Sequence, residues 1–265
     1  MAALLSWRAQ RQITPVILLV LALAGIGFRY GRRFLPETSC FDNKRNQKEI
    51  GVDCGGPCRP CEVKNPRPLT IFWARSMRSS ADSYDAVAFV ENPNEVLSSA
   101  KVSYEFTLLD QFGVIARRLG ATFIYPHERF YIIEPAISTS REAIRVEFSI
   151  AGIDWQLRSA EPPPLVVERR THTVEEEDGR KHSVVEAQIF NSSVLSFRQI
   201  ETDFVVFDEA GNVIGANRVA SDNLSAGGRS SVKSIWPLPF IGPIGRIEVR
   251  PRVNIFDPAL IHKPQ

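Results

Sequence analysis

The chain lacks almost every residue pattern on which catalysis usually rests. Its four histidines, His127, His172, His182 and His262, are scattered and form neither HExxH nor HxH, so metal catalysis has no visible ligand set. No G-x-S-x-G elbow, phosphate-binding loop or dinucleotide glycine fingerprint occurs. Charge nearly cancels: 32 Lys and Arg against 30 Asp and Glu leave a formal net charge of +2, which gives no footprint for nucleic acid. No amphipathic helical pattern of convincing length follows residue 62. These absences point away from an enzyme, a cofactor and a nucleic-acid partner.

What is present is an ordinary folding composition. Apolar residues make up 44% and charged ones 23% of 265 residues, long enough for about two domains that each bury a core. The 18 prolines, many of them paired, suggest punctuated β structure.

The run ITPVILLVLALAGIGF, Ile13 to Phe28, is uncharged over 16 residues and bracketed by Arg8 and Arg11 before it and Arg29, Arg32 and Arg33 after it. That is slightly below the roughly 17 to 25 residues of a spanning helix, and snorkelling arginines would make up the difference. Ala22-Leu23-Ala24 has the small-x-small pattern of a signal-peptidase site. The long stretch before the run, and the arginines directly after it, favour an uncleaved anchor over a cleaved signal. Two arginines before the run and three after it lean toward a cytoplasmic carboxyl terminus by the positive-inside rule. The cysteines must break that tie.

All four cysteines lie in CFDNKRNQKEIGVDCGGPCRPC, residues 40 to 61, as Cys40, Cys54, Cys58 and Cys61. Four thiolates suit tetrahedral zinc, but only Cys58 and Cys61 form a CxxC pair. That pair also resembles a redox motif, yet no βαβ pattern surrounds it and no helix pattern follows to lower a thiol pKa. An even-numbered cluster in a short loop-rich segment beside an export-type run reads most simply as two disulfides, in one of three connectivities. Gly55, Gly56 and Pro57 supply a turn between them. Asp42, Asn46, Glu49 and Asp53 are oxygen donors that would suit calcium, or that cap turns instead. The segment resembles a cysteine-rich motif found after export signals and between domains of bacterial surface proteins. It keeps the four cysteines and Asp42, Asn46, Glu49, Gly51, Val52, Asp53, Gly55 and Gly56, and departs at Asn43, where glycine is usual. The resemblance implies an extracytoplasmic address.

Beyond the cysteines the chain repeats itself at a separation of about 96 to 102 residues. Pro66-Arg67-Pro68-Leu69 is answered by Pro162-Pro163-Pro164-Leu165, and YDAVAFVENPN from Tyr84 by SVVEAQIFNSS from Ser183, with Asn92 against Asn191. KVSYEFTLLDQFGVIARR from Lys101 is answered by RQIETDFVVFDEAGNVIGANR from Arg198, with Asp110 against Asp208 and Gly113 against Gly211. Val102, Tyr104, Phe106 and Leu108 alternate with Ser103, Glu105 and Thr107 in strand periodicity, punctuated by turn residues. Short strands in units of about 95 residues indicate antiparallel sandwiches. Phe106 to Asp110 with Gly113, and Phe204 to Asp208 with Gly211, are similar to the signature of FxLYD-type domains, immunoglobulin-like sandwiches related to late-embryogenesis-abundant proteins. Asn92 and Asn191 match that family's turn between strands. The resemblance implies architecture, in domains that are mostly exported or membrane-tethered.

The remaining candidates have plainer explanations. Glu175-Glu176-Glu177-Asp178-Gly179 reads as a hairpin tip rather than a cation site. Phe72, Trp73, Tyr104, Phe106, Phe123, Tyr125, Phe130 and Tyr131 read as core, and Trp155 and Trp236 as surface.

The expected protein is mainly β: a tail over 1–12, a transmembrane helix over 13–30, and a cysteine-rich collar over 31–65. Tandem immunoglobulin-like sandwiches follow over 66–160 and 161–257, with a tail over 258–265. Its expected role is non-enzymatic, as a single-pass cell-membrane protein that scaffolds, adheres or binds other envelope proteins outside the cytoplasm. Two alternatives are a glycan- or lipid-binding module, which needs an open groove with exposed aromatics, and a cytoplasm-facing zinc-knuckle protein.

Overall fold

The computed structural model describes residues 7–31, 39–158 and 160–262; the remaining residues of the expected tails and collar lie outside this set. The chain divides into two compact units, residues 1–61 and 62–265.

In the first unit a helix, α1, spans Trp7–Gly31. The expected transmembrane helix is corrected here: among the described residues no helix is long and apolar enough to cross a membrane. Length is the physical reason. The uncharged stretch of 16 residues rises about 24 Å as a helix, short of a hydrocarbon core of about 30 Å, and the expected help from snorkelling arginines does not make the helix itself longer or more apolar. The collar follows as a compact knot of turns, pinned by disulfides Cys40–Cys58 and Cys54–Cys61.

One helical turn, α2 (Cys61–Lys64), runs across the boundary between the units, and the second unit is antiparallel β throughout its sheets. Its first half contains β1 (Thr70–Ser80), β2 (Ser83–Glu91), β3 (Leu97–Asp110), β4 (Gly113–Ile124), β5 (Arg129–Ser138), β6 (Arg145–Ile153) and the short β7 (Gln156–Leu157). Its second half contains β8 (Leu165–Glu177), β9 (Arg180–Asn191), β10 (Ser196–Asp208), β11 (Val213–Leu224), β12 (Arg229–Trp236), β13 (Ile244–Arg252) and the short β14 (Ile261–His262). The sheet orders are β1-β2-β5 and β4-β3-β6 in the first half, and β8-β9-β12 and β11-β10-β13 in the second. Counted from its own first long strand, each half has the same strand order.

Three apolar layers hold four sheets together. Ala86, Ala88 and Val90 of β2 meet Tyr104, Phe106 and Leu108 of β3 in the first core, as the two-residue period of facing strands requires. Val185, Ala187 and Ile189 of β9 meet Phe204 and Val206 of β10 in the second. Between them lies a third cluster: Val87, Tyr131 and Ile133 from the reverse face of β2 and β5, against Val205, Phe207 and Ala216 from the reverse face of β10 and β11. The two middle sheets are therefore buried on both faces. This accounts for the unbroken apolar runs AVAFV and FVVF, since a strand covered on both sides has no solvent face to mark with polar residues. Each fully buried Val, Ile, Leu or Phe side chain among them contributes about 1.5–3 kcal/mol.

Trp236 is 4% exposed and belongs to the second core, packed edge-on against Phe240 at 5.0 Å, while Trp155 is half-buried against the first core. Neither is the exposed piece its position in the sequence suggests. The chain end is also engaged: β14 pairs with the start of β10 through Ser196↔His262 and Phe197↔Ile261.

Candidate functional site

In the collar, all four sulfurs are joined in disulfides, which leaves no thiolate for zinc in this pairing. Glu49 lies beside Cys40 and Cys58, whose bonded sulfurs are not metal-binding thiolates. The oxygen donors turn inward to the backbone. Asp53 accepts from the amides of Asp42 and Asn43 at 3.1 Å, and Glu49 accepts from the amides of Asn46 and Asp53 at 3.2 and 3.1 Å. Asp42 accepts from the Asn46 side-chain amide at 2.7 Å, the main cause holding its carboxyl below its usual range. Asn43, at the position where the resembling motif has glycine, has a positive φ of 56°. These groups hold a segment that has little core of its own.

The six turn residues of the sandwiches also brace structure. Asn92, fully buried, donates to the carbonyls of Leu97 and Tyr125 at 2.8 Å and accepts from the amide of Asn94 at 3.1 Å. Asn191 does the same in the second half, donating to Leu195 and Ser225 carbonyls at 2.7 and 3.0 Å and accepting from Ser193. Asp110 accepts from the amides of Phe112 and Gly113 at 2.8 and 3.0 Å, and pairs with Arg141. Asp208 accepts from the Asn212 amide at 2.7 Å. Gly113 and Gly211 close these turns with φ of 131° and 83°, where a side chain would be strained. The acidic stretch from Glu175 lies in the β8–β9 hairpin, closed by Asp178 and Gly179 with positive φ at both, the backbone a tight hairpin turn requires.

The arrangement with the richest chemistry is at the junction of the two sandwiches. Arg252 of β13, 6% exposed, makes a two-pronged pair with Glu128 at 2.9 and 3.0 Å and donates to the Phe123 carbonyl at 2.8 Å. Its guanidinium lies 4.4 Å from the Phe123 ring centre and 4.6 Å from that of Phe130. The Tyr125 hydroxyl donates to the Val253 carbonyl. Arg218 pairs with Asp203 at 2.6 Å and donates to the Tyr131 carbonyl at 3.1 Å. Burial opposes the charge on Arg218, but Asp203 more than offsets it and holds the guanidinium protonated, above its ordinary range. Burial, reinforced by Glu248, pushes the Tyr131 hydroxyl up, so it remains a donor to that carboxylate at 2.9 Å.

Beside this junction a cleft of about 290 Å³ opens between the sandwiches, lined by Trp73, Phe89, Tyr131 and Phe207 with Arg75, Arg246, Arg250 and Glu248. Reading the sequence for enzyme motifs passes over it, because its residues come from strands far apart in the chain. Two signals were legible in retrospect: Trp73, Arg75 and Met77 share one face of TIFWARSM, and Arg246, Glu248, Arg250 and Arg252 share one face of RIEVRPR. Most of the aromatics expected in the core are there, but Phe72 is 45% exposed and Trp73 lies in the cleft wall.

The architecture therefore defines a class, a mainly β protein with two disulfides. No family model and no curated protein matches the chain.

Proposed function

We propose that this chain is a non-enzymatic binding and scaffold protein of an oxidising, extracytoplasmic compartment, in which two immunoglobulin-like sandwiches present fixed surfaces to other envelope proteins. The observation that carries this reading is the apolar layer between the two middle sheets. An interface with a hydrophobic centre and buried arginine anchors holds two domains as one body, whereas hinged domains meet through smaller and more polar contacts. The disulfides support the compartment, because such bonds persist where thiols are not kept reduced. The resemblance to FxLYD-type domains, and the matching strand order of the two halves, support duplication of one sandwich.

The test combines two measurements on the protein in its native cells. Alkylation with a mass-shifting thiol reagent is expected to modify four cysteines only after reduction, and modification without reductant would overturn the compartment. Crosslinking from the outer sheets followed by mass spectrometry is expected to recover envelope proteins reproducibly. A chain crosslinked only to itself would overturn the scaffold role. A second reading, ligand binding, is favoured by the aromatic and arginine-lined cleft.

A further inference from the structure

From the cleft between the sandwiches we infer a binding site for an acidic sugar, a pyranose ring that carries a carboxylate. This deepens the reading of the protein as a non-enzymatic binding module and rests on it. At about 290 Å³ the cleft lies just below the usual range of ligand pockets, which begins at roughly 300 Å³.

The charge in the cleft is unbalanced. Three guanidinium groups, of Arg75, Arg246 and Arg250, line the cleft with one carboxylate, Glu248, which pairs with Arg246 at 3.0 Å and with Arg250 at 2.9 Å and also accepts from the Tyr131 hydroxyl. Arg75 makes no ion pair among the described residues and donates only to its neighbouring Ala74 carbonyl. Packing alone needs no such excess, since like charges repel and one arginine per carboxylate would be enough. A ligand carboxylate restores the balance, and guanidinium forks match it with two parallel hydrogen bonds.

The aromatic rings organise these cations. Arg246 lies 4.0 Å from the centre of Phe207, and Arg250 lies 4.7 Å from Tyr131 and 5.5 Å from Phe89. Stacking holds a guanidinium by its flat face and leaves its N–H edge for polar partners; Arg250 spends much of its edge on the Arg129 carbonyl at 2.7 Å and on Glu248, so Arg75 and Arg246 carry the ligand carboxylate. Trp73 and Phe89, 5.8 Å apart, form an apolar wall on the side of the first sandwich. Such a wall takes the C–H face of a sugar ring, while the arginines take its acid group. Because Trp73 and Arg75 come from β1, and Arg246 and Arg250 from β13, the site is complete only while the sandwiches are locked together.

The experiment is calorimetric titration of the full chain with trigalacturonate, the matching neutral galactose trimer and inorganic sulfate. Trigalacturonate is expected to bind at least about tenfold more tightly than either control, with affinity falling as salt rises. Arg75→Ala, at an exposed position, is expected to weaken binding about tenfold or more with the melting temperature unchanged, and Trp73→Ala to weaken it as much while also lowering the melting temperature, because that ring packs on the inter-sandwich cluster. Arg75→Lys retains the charge without the fork and should fall between. Absence of trigalacturonate binding, equal binding of the neutral sugar or of sulfate, or unchanged affinity in Arg75→Ala would each overturn the site. Crosslinked envelope partners without sugar binding would remove this ligand and leave the scaffold reading intact, whereas sugar binding without partners would do the reverse.

Discussion

The outer face of the β4-β3-β6 sheet and the corresponding face of the β11-β10-β13 sheet are built on the same strand order and have opposite fates. The registers place Thr107 opposite Arg117 and Glu147 in the first, and Val205 opposite Ala216 and Glu248 in the second. Thr107 and Arg117 meet water, and Arg117 lies 3.6 Å from Glu105, whereas Val205 and Ala216 are fully buried against the first sandwich. The far face of the second sandwich is likewise polar: Arg169, Glu186, Gln188 and Lys233 are not buried there. The comparison teaches that assembly is specified by a few side chains on a shared scaffold. One apolar face on each half finds the other, and polar outer faces stop the stack, as capping repeats do in longer arrays. A head-to-tail contact without such caps would invite open-ended association.

The largest effect should come from exchanging these faces. Val205→Thr with Ala216→Arg places an unpaired charge in the inter-sandwich layer, and is expected to cost about 3–5 kcal/mol and to split one unfolding transition into two, read by calorimetry. The reverse exchange, Thr107→Val with Arg117→Ala, should change stability by no more than about 0.5 kcal/mol and instead promote concentration-dependent association, read by analytical ultracentrifugation.

Next is the contrast between a unit held by disulfides and one held by cores. Cys40→Ser with Cys58→Ser is expected to cost the collar about 2–5 kcal/mol, seen as rapid proteolysis within residues 40–61, while the melting of the sandwiches is unchanged.

The paired turns give a finer test of whether the halves are equivalent. Asn92→Ala and Asn191→Ala each leave buried carbonyls without their donor, and each should cost about 1–3 kcal/mol in denaturant melts. Loss at only one of them would show that the halves divide the work unequally.

The smallest effect is a pH dependence peculiar to the second half. Burial lowers the pKa of His172, which lies 3.2 Å from the Ser183 hydroxyl and 5.5 Å from the Phe240 ring. The neutral ring is favoured in the folded state, so its contribution is intact above the unfolded value of about 6.5 and is lost as pH falls through the lowered folded value. Melting temperature should drop slightly across that window, and His172→Gln should remove the slope.

Local rules carried the sequence a long way. Period-two alternation around Phe106 and Phe204, turn residues such as Asp110 and Gly211, and the crowding of four cysteines into one loop each express short-range physics, and β structure and disulfides followed from them. The apolar run from Ile13 shows where a local rule overreached, because 16 uncharged residues fall short of a spanning length. The partners of the strands belong to tertiary structure alone. Trp236 reads as an edge residue in isolation and is buried because β12 turns it inward, and Val87 and Val205 reveal their second burial only when two sheets meet back to back. The cleft is of the same kind: Arg75 and Arg246 lie 171 positions apart, and no periodicity couples them. Sequence fixes what each strand can offer on its two faces, but which face meets which is a property of the assembled sheets.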